Sequence, residues 1–311
     1  MNKVAVASRS FSKHPILRKA IIDRYPNVKF NDKGVSLSGE SLFEFLTGCN
    51  KAIIALEEIN EPILKQLPDL KVVGKYGVGL DTLDLEAMEK YGIKLGWKGG
   101  INKRSVSELV IAFATMLLHR AIFANSETRK GKWYQVKGRQ LSECTVGVIG
   151  CGHIGKDLIR LLQPYKCNIL VHDIVNDEDF NCKYKIQSLE LEDLLRKSDV
   201  ITLHLPLDES TRDIINKKRL KLIKPSAVLI NLARGGLVDE RALRDMIAAN
   251  DITGVALDVF EVEPPIDSSF SIMDNVLITP HIGGSTEEAV IAMGMAAIEG
   301  LERSQSPMKY A

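Results

Sequence analysis

The sequence predicts an α/β fold built on two doubly wound parallel sheets, and three observations carry that prediction. Its 311 residues suit about two domains at roughly 100 to 200 residues each. Short β-rich runs alternate with helical stretches along nearly the whole chain, the rhythm of strands joined by crossovers in a parallel sheet. The second half holds six such strands in series, one of which runs straight into a glycine-rich turn.

In order along the chain, strands are expected at 4–7, 51–56, 71–74 and 92–95, with helices at 15–24, 61–66 and 83–90. A long helix over 108–122, capped by Ser105 or Ser107, is apolar on several sides and reads as the bridge to a second domain. The six later strands are 146–149, 168–172, 200–203, 227–231, 254–257 and 276–279, the pattern of a doubly wound dinucleotide-binding sheet. An Ala- and Met-rich helix over 286–304 follows and is expected to pack back on the first domain. Linkers are expected at 96–101 and at Gly283-Gly284, with no repeat or low-complexity tract.

Composition narrows the function. Lys plus Arg number 41 against 40 Asp plus Glu, so no bulk field draws nucleic acid or an anionic membrane, and neither is expected as a partner. The longest apolar stretch, 109–118, is far below the roughly 18 residues of a membrane span, and residues 1–7 lack a signal-peptide layout. The five cysteines form no CxxC pair, which argues against a disulfide framework and against a zinc site. A cytoplasmic protein without a metal is expected.

Gly150-Cys151-Gly152-His153-Ile154-Gly155 reads GxGxxG after the strand 146–149 and before a helical run. Gly150 permits the tight turn, Gly152 lets amides approach a pyrophosphate, and Gly155 allows close helix packing; the helix N-terminus then attracts the phosphates. Asp173 lies 23 residues past Gly150, near the roughly 20 expected of an acid that accepts from a ribose diol. Its charge would repel a 2′-phosphate, and Ile174 and Val175 offer no counter-charge, so NAD is the expected cofactor.

In such sheets the chemistry sits beyond the carboxyl ends of the strands. Arg234, Glu263 and His281 follow the fourth, fifth and sixth strands of the second half. Arg234 can hold a substrate carboxylate bidentately and polarise the adjacent keto oxygen. His281 can give that oxygen a proton as hydride arrives, and Glu263 would orient the imidazole and favour its protonated form.

With these residues in hand, the chain resembles the D-isomer-specific 2-hydroxyacid dehydrogenases over essentially its whole length. The matching pieces are Lys75-Tyr76-Gly77-Val78-Gly79-Leu80-Asp81, Val106-Ser107-Glu108-Leu109, the glycine loop with Asp173, His204-Leu205-Pro206-Leu207, Asn231-Leu232-Ala233-Arg234-Gly235, Asp258-Val259-Phe260 with Glu263-Pro264, and Pro280-His281-Ile282-Gly283-Gly284. The resemblance implies two Rossmann-like or flavodoxin-like domains, an NAD-binding one over 100–285 and a substrate-binding one from 1–99 plus 286–311. It implies Arg234, Glu263 and His281 as the catalytic trio. Cofactor contacts are expected from Gly150, Gly152, His153, Ile154, Gly155, Asp173, Leu205, Pro206, Thr211, Leu232, Ala233, Arg234, Asp258, His281, Gly283 and Gly284, with Asp258 on the nicotinamide carboxamide. A small 2-keto or 2-hydroxy acid is the expected substrate, its carboxylate on the amides of Val78 and Gly79 and on Arg234. Lys75 is the cation expected nearest a distal anionic group, with Lys98, Lys103 and Arg104 as further candidates. The family also suggests a homodimer formed by the cofactor domains.

Within the family, the 281–289 segment and Val72-Val73-Gly74-Lys75 most resemble phosphoglycerate dehydrogenases of the short kind. Three departures stand out. Ala55-Leu56-Glu57-Glu58 lies where some of those enzymes place an arginine on the substrate phosphate, Trp97-Lys98-Gly99-Gly100 replaces an Asn-Thr-Pro-Gly turn, and His153 stands where Arg is common. Competing readings are an NAD-responsive binding protein or corepressor, which the intact trio argues against, and a glyoxylate or hydroxypyruvate reductase, whose NADP-dependent form Asp173 disfavours. A formate dehydrogenase would carry Gln in place of Glu263.

Overall fold

The computed structural model describes residues 3–266 and 268–310. These divide into two compact units, one from Met1–Asn102 with Thr286–Ala311 and one from Lys103–Ser285.

The first unit has strands β1 (Val4–Val6), β2 (Val28–Phe30), β3 (Lys51–Ile54), β4 (Val72–Lys75) and β5 (Lys94–Gly96). They pair in parallel in the order β2-β1-β3-β4-β5, a flavodoxin-like arrangement. Apolar side chains fill both faces, as a parallel sheet covered by helices requires. The helix Glu287–Gly300, capped by the Thr286 hydroxyl at the Ala289 amide (3.3 Å), belongs to this unit and buries Ala297 and Ile298 against Val4 and Val6. Backbone meets backbone there: a Cβ on Gly96 would lie 2.2 Å from the Gly300 carbonyl oxygen. β2 and the helices Arg9–Lys13 and Gly39–Leu46 lie outside the elements expected from the sequence. The three residues of β2 are half-buried with Lys29 between two apolar neighbours, too short a run to show a period.

The second unit has β6 (Thr145–Ile149), β7 (Asn168–His172), β8 (Gln187–Ser188), β9 (Val200–Leu203), β10 (Val228–Asn231), β11 (Gly254–Leu257) and β12 (Val276–Ile278), all parallel. Their order is β12-β11-β10-β9-β6-β7-β8, the doubly wound dinucleotide-binding order with one strand added at the end. The added strand is β12, whereas β8, third in chain order in this unit, lies outside the six strands expected; its two residues are exposed and leave no apolar signal. The strand order reverses between β6 and β9, so the crevice such sheets use for ligands opens at Gly150 and His204.

The long helix differs from expectation at both ends. It runs Lys103–Leu118, and Ser105 and Ser107 are buried inside it, their hydroxyls donating to the carbonyls of Gly283 (2.6 Å) and Ile154 (3.3 Å) rather than capping it. The chain breaks at Arg120, in the left-handed region at φ 54°, and a second helix runs Ala121–Arg129. No single described helix is long and apolar enough to cross a membrane.

Candidate active site

β6 delivers the chain into the glycine turn, and the helix His153–Leu162 leaves it. Gly150 sits at φ 95°, where a side chain is strained, and a Cβ on it would also meet the His204 carbonyl oxygen at 2.5 Å. A Cβ on Gly155 would come within 2.2 Å of the Gly150 carbonyl, so the third glycine sets the helix down on the turn. Gly152 alone faces open space. That vacancy lies beside the unbonded first amides of the helix, around His153 and Ile154, and a pyrophosphate fits it.

Asp173 follows β7. One carboxylate oxygen accepts from the Cys151 amide (2.6 Å) and the other from the Val175 amide (2.7 Å). The acid therefore ties the glycine loop to the next strand while standing at the position of a diol acceptor. Ile174 and Val175 are 99% and 69% exposed and bring no cation. Beyond β9, the Thr211 hydroxyl donates to the Pro206 carbonyl (2.8 Å) and accepts from the Asp208 amide (2.9 Å), closing the loop. Leu205 in that loop lies against the glycine turn.

His204, directly after β9, has no role expected from the sequence. Burial pushes its imidazole down to about 3, so it is neutral. Its Nε2 lies 3.0 Å from the Thr202 hydroxyl, and its buried Nδ1 has no partner among the described residues.

β10 ends at Asn231, whose side chain is a clamp. Its oxygen accepts from the Ala233 amide (3.1 Å) and its nitrogen donates to the Arg234 carbonyl (2.8 Å), which holds the turn Leu232-Ala233-Arg234. Asn231 was named only as part of a motif; the reason it matters is this side-chain geometry. The Arg234 guanidinium reaches back to the Ala233 carbonyl at 2.7 Å.

Asp258, after β11, is 1% exposed and collects donors. Its carboxylate accepts from the Thr279 hydroxyl (2.5 Å) and the amides of Ile282 and Gly283 (2.7 Å each). The same residue's carbonyl accepts from the His281 amide at 2.8 Å. Beside it, Glu263 accepts from the Phe260 amide (3.1 Å) with one oxygen and meets His281 Nδ1 at 2.8 Å with the other. With the carboxylate on Nδ1, the imidazole is oriented and its Nε2 is left for a reacting atom. Both side chains are about two-fifths exposed, at 43% and 39%.

Apart from Arg234, the expected substrate contacts lie in the first unit. Val78 and Gly79 follow β4 in a loop that begins at Gly77, φ 136°. Lys75, expected to reach substrate, is turned inward instead: it is 5% exposed, and its ammonium donates to the Ala55 carbonyl and to the Thr82 hydroxyl (2.9 Å). A lysine buried at a strand end must satisfy its charge, and a loop carbonyl and a hydroxyl contribute to that. Arg104 is likewise committed, its guanidinium forked onto buried Asp157 at 3.0 and 3.1 Å. Glu57 is buried, and its carboxylate accepts from the Ala55 amide at 2.6 Å.

A glycine turn open to a pyrophosphate, with an oriented acid–base pair at the ends of nearby strands, equips the second unit for hydride chemistry on a dinucleotide, and the class is that of the dinucleotide-dependent oxidoreductases. Residues 111–283 match the family model described as D-isomer specific 2-hydroxyacid dehydrogenase, NAD binding domain. The chain is 34% identical over 247 residues to the hydroxypyruvate reductase of Thermotoga maritima, covering 78% of this chain and 80% of the relative. It is 33% identical over 271 residues to the D-3-phosphoglycerate dehydrogenase of Methanocaldococcus jannaschii, covering 86% of this chain but only 52% of that longer relative. A D-lactate dehydrogenase of Aquifex aeolicus, solved with NAD and lactic acid, superposes with a TM-score of 0.84 at 26% identity over 97% of this chain and 94% of that one. The chain belongs to the D-isomer-specific 2-hydroxyacid dehydrogenases, a family of NAD-dependent oxidoreductases acting on 2-hydroxy acids.

Proposed function

We propose that this protein reduces a 2-keto acid to the D-2-hydroxy acid, and runs the reverse reaction, with Arg234, Glu263 and His281 as its catalytic residues. The observation that carries the reading is the 2.8 Å contact between Glu263 and His281 Nδ1. Bound NADH supplies the hydride. Arg234 holds the carboxylate and polarises the keto oxygen, and in the first unit the amides of Val78 and Gly79 are the donors that the family resemblance gives for a carboxylate. His281 gives its proton from Nε2 to the oxygen that gains charge, and Glu263 keeps the ring in place and offsets the imidazolium charge. The open face at Gly152 and the diol acceptor Asp173 support NAD binding by the residues expected for it, including Leu205, Pro206, Leu232, Ala233, Asp258, Gly283 and Gly284. In this reading the chain divides at 99/100 and 285/286 into a substrate-binding and an NAD-binding domain.

A reductase acting on an unphosphorylated keto acid is the second reading, and the loop after β3 favours it over the phosphoglycerate-like one. Lys75 is committed to Ala55 and Thr82, and Leu56 beside them is 77% exposed. A homodimer and a cytoplasmic location belong to the proposal too. The exposed Trp133 and Tyr134 (82% and 56%) after the helix Ala121–Arg129 support the first, and five free cysteines support the second.

The test is NADH oxidation with pyruvate, glyoxylate, hydroxypyruvate, 2-ketoglutarate and 3-phosphohydroxypyruvate, repeated in His281→Ala. Turnover on at least one keto acid, lost in the variant while NADH still binds, is expected. Undiminished turnover in His281→Ala overturns the assignment.

A further inference from the structure

The segment Trp97-Lys98-Gly99-Gly100 is where this chain departs from its family's turn, and the structure gives Trp97 a specific neighbour. Trp97 follows β5, the strand paired with β4 through Gly74 and Gly96. Its indole Nε1 donates to the Val78 carbonyl at 3.1 Å. Its ring stands edge-on to Tyr310, centroids 5.1 Å apart and planes at 69°, so the indole is braced from the other side.

That one hydrogen bond fixes more than Val78. The only cis peptide among the described residues is Glu263-Pro264, so the bond from Val78 to Gly79 is trans. A trans peptide is planar, with its carbonyl and N–H pointing in opposite directions. Holding the Val78 oxygen toward the indole therefore aims the Gly79 N–H directly away from it. The amides of Val78 and Gly79 donate to no main-chain carbonyl among the described residues, so neither is spent on the loop's own backbone. The loop also needs an outside hold. Gly77 at φ 136° and Gly79 carry no side chains, and a glycine-rich segment left to itself samples many peptide orientations.

We propose that Trp97 is a positioning residue of the reaction: its indole N–H locks the Val78–Gly79 peptide so that the Gly79 N–H is presented to the substrate carboxylate. The inference rests on the reading of Gly79 as a carboxylate donor, and it adds the residue that orients it. A preset donor binds the carboxylate without first freezing the peptide, so losing the lock raises KM for keto acid more than it lowers kcat.

The experiment compares the wild type with Trp97→Phe, which keeps a ring against Tyr310 and removes the N–H. Protein labelled with 15N-glycine and saturated with NADH is titrated with oxamate, the Gly79 amide being assigned by its absence in Gly79→Ala. The wild-type Gly79 signal is expected to move, and Trp97→Phe to need about fivefold more oxamate for half the shift, with KM for keto acid raised about as much, kcat within about twofold and NADH affinity unchanged. Trp97→His, a smaller ring with its own N–H, is expected to have a KM between the two. A Gly79 signal that moves at the same oxamate concentration in wild type and Trp97→Phe overturns the role of Trp97 and leaves the carboxylate reading standing. A wild-type Gly79 signal that ignores oxamate overturns that reading and the inference with it. If Trp97→Phe fails to fold, Trp97→His decides, since a KM and a half-shift oxamate concentration raised by less than about fivefold support the lock and a larger rise in either overturns it.

Discussion

The carbonyl of Asp258 accepts from the amide of His281 at 2.8 Å, and His281 stands there in the left-handed region at φ 54°. A non-glycine residue in that region costs of order 1 kcal/mol, and the turn persists because the Asp258 carboxylate also takes the Thr279 hydroxyl and two following amides. Asp258 thus holds the turn that carries His281. Asp258→Asn keeps one acceptor but sets an NH2 group against N–H donors. It is expected to lower kcat/KM by roughly 30-fold or more, about 2 kcal/mol, and to lower Tm. Steady-state kinetics and a thermal melt check both.

Glu263 acts on His281 from the side of Nδ1. Glu263→Gln removes the negative charge and leaves a hydrogen-bonding group, so kcat for keto acid reduction should fall by roughly 10- to 100-fold, with the affinity for NADH unchanged. Fluorescence titration with NADH and turnover measurements on one sample separate the two. An unchanged kcat would show that His281 works without Glu263.

Cofactor choice follows from Asp173. Its carboxylate repels a 2′-phosphate, so kcat/KM should favour NADH over NADPH by more than about tenfold, equal to about 1.4 kcal/mol. Because Asp173 also holds the Cys151 amide, Asp173→Ala should raise KM for NADH as well as relaxing the preference. Equal use of the two cofactors by the wild type refutes the argument.

Lys75→Met tests what the buried ammonium does. Removing it leaves the Ala55 carbonyl unpaired at a strand end, and a loss of roughly 1 to 3 kcal/mol in stability is expected. KM should change by the same factor for pyruvate as for a dianionic keto acid. A loss confined to the dianion would restore Lys75 as a contact for a distal anion.

His204 makes stability depend on pH. In the unfolded chain its imidazole takes a proton near 6.5, whereas in the fold burial holds that uptake down to about 3. Between those values the unfolded state binds more protons, so stability falls as pH drops from 6.5 toward 3, by at most about 1.4 kcal/mol per pH unit from this one group. Above 6.5 the imidazole is neutral in both states and contributes no slope. Urea midpoints at pH 7.5 and pH 5 should therefore differ by less in His204→Gln than in the wild type.

Much of this molecule is legible in the sequence because the signals are local. The buried strands β6, β9, β10 and β11 are near-continuous apolar runs, and Gly150, Gly152 and Gly155 sit at spacings that a strand, a turn and a helix impose. The same locality explains the misses. β8 has two exposed residues with no apolar pattern, and the left-handed Arg120 that splits the long helix leaves no mark in its composition.

Hydrophobic period and the conformational demands of single residues are enough to set the α/β class, the strand that feeds the glycine turn, and the residue types that follow each strand of the second half. Which polar groups meet is settled in the packed chain. That Lys75 turns inward to Ala55, that Asn231 clamps the Arg234 turn, that Asp258 gathers Thr279, Ile282 and Gly283, and that Trp97 reaches Val78 are contacts between residues 3 to 25 apart in the chain. A buried polar group must find a partner, but which partner it finds depends on how the loops pack at the strand ends.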